Sequence, residues 1–113
     1  MSDPMPPAVP TRTPLPWNED AIFAVMSEPA RRRIIKALAK GEGRTASELR
    51  GATSKRLDAT IKDCAALVAL GFLVSVKDGQ DARKRRYSLA PSVPVAQTAT
   101  GWELDFGCCV LRL

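Results

Sequence analysis

The sequence predicts a mainly helical domain finished by a small β-hairpin: four helices with a tight turn before the last, two strands joined by a basic loop, and a further strand near the C-terminus. Three features predict it. Apolar residues recur at helical spacing from Ala21 to Val68. A capping box at Thr45-Ala46-Ser47-Glu48 and glycines at 41, 43, 51 and 71 punctuate that stretch. Beyond Gly71 the pattern changes to β-branched residues flanking an Asp78-Gly79 turn.

Asn18 is the expected N-cap of the first helix, with Glu19 and Asp20 at its positive end. Ala21, Ile22, Val25 and Met26 form its apolar face, and Trp17 is placed to staple against Ile22 or a neighbour. Glu28-Pro29 opens the second helix, proline being tolerated in a first turn. Ile34, Ile35, Leu38 and Ala39 face inward; Arg31, Arg32, Arg33, Lys36 and Lys40 cover much of the remainder. Gly41 and Gly43 stop it. The third helix is expected from Ala46 to Arg50, with Leu49 inward and Gly51 ending it.

Thr53 or Ser54 is the expected cap of a long fourth helix running to about Leu70 and closed by Gly71. Leu57, Ile61, Cys64 and Val68, with Thr60 and Leu67 beside them, make the expected core stripe. Ser54, Lys55, Arg56, Asp58, Ala59, Lys62 and Asp63 occupy the opposite face. Phe72 to Lys77 and Lys84 to Leu89 are the two strands of the hairpin, with Tyr87 and Leu89 on one face. Pro91 and Pro94 interrupt the pattern. Trp102 to Phe106 alternates apolar and polar and reads as a third strand, kinked at Gly107 and continued by Cys108 to Leu113.

Residues 1–16 hold six prolines and one base, Arg12, which reads as an extended, disordered arm. Residues 17–90 make the domain, and 91–113 a C-terminal extension for packing or dimerisation. Apolar residues are 45% of the 113 and charged residues 26%, as in ordinary globular proteins. No apolar run approaches the length of a membrane span, and no basic start leads into an apolar stretch, so neither membrane nor secretory signal is expected. Three cysteines do not read as a disulfide scaffold and suit a reducing cytoplasm. Histidine is absent, as are a glycine-rich phosphate loop, a nucleophile motif and a clustered carboxylate pair. No enzyme, cofactor or metal ligand set is therefore expected.

The net charge of +5 and pI near 9.5 suit a polyanionic partner. Placement matters more than the total. Lys77, Arg83, Lys84, Arg85 and Arg86, set against Asp78 and Asp81, make the hairpin tip the densest positive segment.

The order of elements resembles the winged helix-turn-helix regulators of the ArsR or MarR kind over residues 20–90. The resemblance rests on Arg31-Arg32-Arg33-Ile34-Ile35-Lys36-Ala37-Leu38, on Thr45-Ala46-Ser47-Glu48-Leu49, and on Ala69-Leu70-Gly71-Phe72-Leu73-Val74 before a basic hairpin. It implies a transcription regulator that binds double-stranded DNA, sits at the nucleoid, and inserts its fourth helix in the major groove. The residues expected to touch DNA are Thr53, Ser54, Lys55, Arg56, Ala59 and Lys62 of that helix and Arg83, Lys84, Arg85 and Arg86 of the wing. A wing of this kind lies along the backbone or dips into the minor groove.

Regulators of the arsenical type sense metals through thiolates, but this chain has no cysteine pair in its third helix. Cys64 reads as a core residue, and adjacent Cys108 and Cys109 point to opposite faces of a strand. No small-molecule or metal effector is identified. The apolar set Trp102, Leu104, Phe106, Leu111 and Leu113, with the first helix, is the expected surface of a two-fold homodimer. Two rivals remain: a winged helix serving as a protein-assembly module, and an RNA-binding domain. A protein-binding version should carry apolar or acidic residues where the fourth helix and hairpin of this chain are basic.

Overall fold

The computed structural model describes residues 17–81, 83–107 and 109–113. The arm at 1–16 and Cys108 lie outside the described residues. Helices α1 (Glu19–Met26), α2 (Pro29–Leu38), α3 (Ala46–Thr53) and α4 (Leu57–Ala69) come first, with a short strand β1 (Arg44–Thr45) before α3. The hairpin β2 (Leu73–Lys77) and β3 (Arg85–Leu89) follows, and a meander β4 (Val95–Thr98), β5 (Gly101–Asp105) and β6 (Val110–Arg112) ends the chain. No described helix is long and apolar enough to cross a membrane.

The local signals at the starts of α1 and α2 hold. The Asn18 side chain accepts the Ala21 N–H, and Pro29 opens α2 behind Glu28. Gly71, at φ +84°, closes α4: its N–H reaches the Val68 carbonyl, and the Phe72 N–H reaches back to the Leu67 carbonyl. This double bond pattern needs a left-handed residue, and it swings Phe72 into the core.

Ile22, Val25, Ile34, Ile35, Leu38, Leu49, Cys64, Leu67, Phe72 and Leu104 are buried together in one cluster. Trp17 packs against the core cluster that holds Ile22, and its ring has aromatic partners that the sequence did not suggest. Its ring meets Phe72 at 4.8 Å and Phe106 at 5.1 Å, both edge-on, because the C-terminal meander brings Phe106 over the start of α1.

Two antiparallel sheets flank the helices, in the orders β1-β3-β2 and β4-β5-β6. Strands β1 and β4 have no expectation behind them. The former is only two residues long, and β4 lies just beyond Pro94. The segment after Gly107 does not continue the third strand. Gly107, at φ +87°, turns the chain, and β6 pairs back on β5 with Leu104 opposite Leu111. Leu104 and Phe106 are buried in the same core as the helices.

A candidate nucleic-acid interface

The site is built from the start of α3, the turn into α4, the first half of α4, and the hairpin. At the start of α3, Thr45 Oγ1 accepts the Glu48 N–H, and the Glu48 carboxylate accepts the Thr45 N–H at 2.8 Å. That backbone donor holds the Glu48 carboxyl below the usual range, with Arg86 and Arg44 adding to the effect.

Gly51 does not end α3. The helix runs to Thr53, and Ser54 ends it in the left-handed conformation at φ 59°, its N–H on the Arg50 carbonyl. The fourth helix consequently begins two or three residues later than the sequence suggested, at Leu57, with Arg56 as N-cap. Thr53 is therefore not a helix cap facing a ligand. It is 3% exposed, shares a 3.0 Å hydroxyl hydrogen bond with Thr60, and accepts the Lys55 N–H.

The inward face of α4 also differs in part from the expected stripe. Thr60, Asp63, Cys64 and Leu67 are buried, whereas Leu57 and Ile61, expected in the core, are 38% and 44% exposed. Asp63, expected on the outer face, takes the Arg31 guanidinium at 3.1 Å and the Lys55 ammonium at 3.0 Å. A buried carboxylate is tolerable only when paired in this way. Burial pushes the Cys64 thiol up to about 11, with the neighbouring Asp63 charge adding to it, so it stays a protonated core side chain at neutral pH.

The expected contact residues thus separate. Ser54, Arg56 and Lys62 are exposed, and Ala59 is half-buried. Arg56 lies 3.5 Å from Asp58, but both are open to water, and such a pair is weak. Lys55 is half-buried and already committed to Asp63.

In the wing, Lys77 pairs with Arg85 at the end of the β2–β3 ladder. Asp81 shapes the tip: its side chain accepts the Arg83 N–H and its carbonyl accepts the Lys84 N–H. Arg83, Lys84 and Arg85 project from this tip, exposed. Arg86 does not join them. It donates to the Gly43 carbonyl at 2.6 Å and lies against Asp78 and Glu48, because strand alternation turns it toward β1.

Two hollows show how these groups lie together. One is lined by Ser47, Leu57, Ile61 and the wing residues Arg83, Lys84 and Arg85. The other is lined by Ser47, Arg50, Ser54, Lys55 and Arg56. Ser47 borders both, so turn, fourth helix and wing form one continuous surface. Sequence reasoning missed Arg50, Ser47, Leu57 and Ile61 as members of it. Continuing α3 through Gly51 to Ser54 would have kept Ser47 and Arg50 on the helix beside the turn, but the exposure of Leu57 and Ile61 depends on tertiary packing.

Among solved structures, the adhesin competence repressor (AdcR) of Streptococcus pyogenes matches with a TM-score of 0.50 and 26% identity, over 55% of this chain and 44% of its own. The fold is a winged helix-turn-helix. ZitR of Lactococcus lactis, solved as a point mutant, matches at TM-score 0.49 and 19% identity over 55% of this chain and 42% of its own. The chain thus spans less than half the length of either neighbour. No protein-family model matches the chain, and no curated protein matches it.

Proposed function

We propose that this winged helix binds double-stranded DNA sequence-specifically and regulates transcription, with α4 in the major groove and the Arg83–Arg85 tip on the backbone or in the minor groove. The observation that carries this reading is the shared surface around Ser47, where wing cations and the exposed face of α4 line one hollow. A helix flanked by cations suits a groove whose two edges are rows of phosphates. The likeness to a repressor, AdcR, supports the same reading.

A two-fold homodimer would present two such surfaces to a palindromic site. Leu104 and Phe106, expected on the dimer surface, are buried in the chain's own core, and Trp102, Leu111 and Leu113 are half-buried. What supports an association surface is instead the exposed Phe23 of α1 and Val110 of β6. Light scattering at micromolar concentration should return twice the chain mass; a clean monomer would remove the dimer.

Anisotropy titration of duplex DNA over a salt series tests the main reading. With about four phosphates neutralised per protomer, log affinity should fall against log salt with a slope of roughly −3.6 per protomer. A second reading, a protein-binding module, is favoured by the apolar Leu57 and Ile61 on the exposed face of α4. Failure to bind any duplex at low salt would select that reading over the first.

A further inference from the structure

Leu57 and Ile61 are large apolar side chains one turn apart on the outer face of α4, and each keeps more than a third of its surface in water. Neither is needed to fill the core, which Thr60, Cys64 and Leu67 complete on the inner face. Nor does the surrounding charge suit a wholly apolar partner. Arg83, Lys84 and Arg85 bound the same hollow on one side, and Arg50 and Arg56 line the hollow adjoining at Ser47 on the other. An occupant must therefore be anionic at both edges and offer small apolar groups between them. The major groove of an A·T-rich duplex meets both conditions: phosphates form its rims, and thymine 5-methyl groups project from its floor.

We infer that Leu57 and Ile61 are specificity-determining residues that read thymine methyl groups, so that this protein prefers A·T-containing sites. The inference rests on the DNA-binding reading above and adds to it which base chemistry α4 selects. It also gives the basic side chains a separate duty. The cations hold the duplex in register, while the aliphatic pair discriminates between bases, because hydrogen bonding to guanine is not what the centre of this face offers. The residues that follow the pair in sequence, Asp58 and Lys62, are exposed and of opposite sign.

The test removes the methyl group and nothing else. Binding of the full chain is compared between a short duplex of A·T pairs in mixed order and the same duplex with every thymine replaced by uracil. The uracil duplex should bind roughly four- to fifteen-fold more weakly, the loss expected for one or two buried methyl groups. In the variant L57S/I61S the difference should vanish while the salt slope stays at the wild-type value. Both sites are exposed, and unchanged thermal unfolding confirms that the variant folds. Equal binding of the two duplexes by the wild type overturns the inference yet leaves DNA binding standing. A difference that persists in L57S/I61S assigns it to duplex shape and overturns it as well. Binding to neither duplex at low salt overturns the DNA reading itself and points to a protein with an acidic rim.

Discussion

The cations of the helical turn and the cations of the wing have the same sign and opposite employment. Lys55 leans on the buried Asp63, which also holds Arg31 of α2, so these charges tie the helix-turn-helix together from within. Arg83, Lys84 and Arg85 stand exposed on a tip shaped by Asp81, and their side-chain partners among the described residues lie in open water: Asp81, 3.4 Å from Arg83, and the Ser75 hydroxyl, which accepts from Arg85 at 3.0 Å. Arg86, one residue further, belongs with the first group, because the strand turns it onto Gly43, Asp78 and Glu48. A basic segment in a sequence is thus two populations, and the partner of each cation decides whether it contributes to stability or remains open to a polyanion.

Four variants break or sharpen that contrast. The largest effect is expected from R83A/K84A/R85A, which should flatten the salt slope by about three units if each cation neutralises one phosphate, while urea unfolding is unchanged. Unaltered duplex binding by this variant would remove the wing from the interface. Next is D63A, which strands Lys55 and Arg31. Both cations keep some contact with water, so the loss should be about 2 kcal/mol in chemical denaturation, below the figure for a fully buried pair.

R86A should cost about 1 kcal/mol of stability through its lost hydrogen bonds and leave the salt slope at the wild-type value. A flatter slope would return Arg86 to the contact surface. The smallest effect, and of opposite sign, belongs to S54G. Glycine adopts the left-handed conformation without the Cβ penalty that Ser54 incurs, so thermal unfolding should report a gain of about 0.5 kcal/mol. A loss would argue that the turn is not built as described.

Much of the fold was legible. Asn18, Pro29, the Thr45–Glu48 box and Gly71 sit where their local chemistry requires, since a cap or a left-handed terminus depends on a few adjacent residues. The Asp78-Gly79 signal marks where β2 ends, but the chain turns further on, around Asp81, and the Asp78 N–H closes the base of the loop on the Lys84 carbonyl. The boundary between α3 and α4 was not legible. Gly51 is a weak helix residue and looks like a stop, yet helical hydrogen bonding carries past it to Ser54. The C-terminal pairing was also hidden, because β6 depends on a reversal at Gly107 that the local pattern shows only as a kink.

By itself the sequence determined the order of the four helices and the hairpin, the starts of the first three helices and the amount of positive charge at the hairpin. Only the tertiary structure decided which face of α4 points outward. Hydrophobicity ranks Leu57 and Ile61 as core and Asp63 as surface, and that ranking holds while a side chain has only its own helix for company. Here Arg31 arrives from α2, thirty-two residues upstream, to neutralise Asp63, and Thr53 satisfies the hydroxyl of Thr60. Polar groups matched in that way can be buried, and the two aliphatic side chains are left facing water beside the wing.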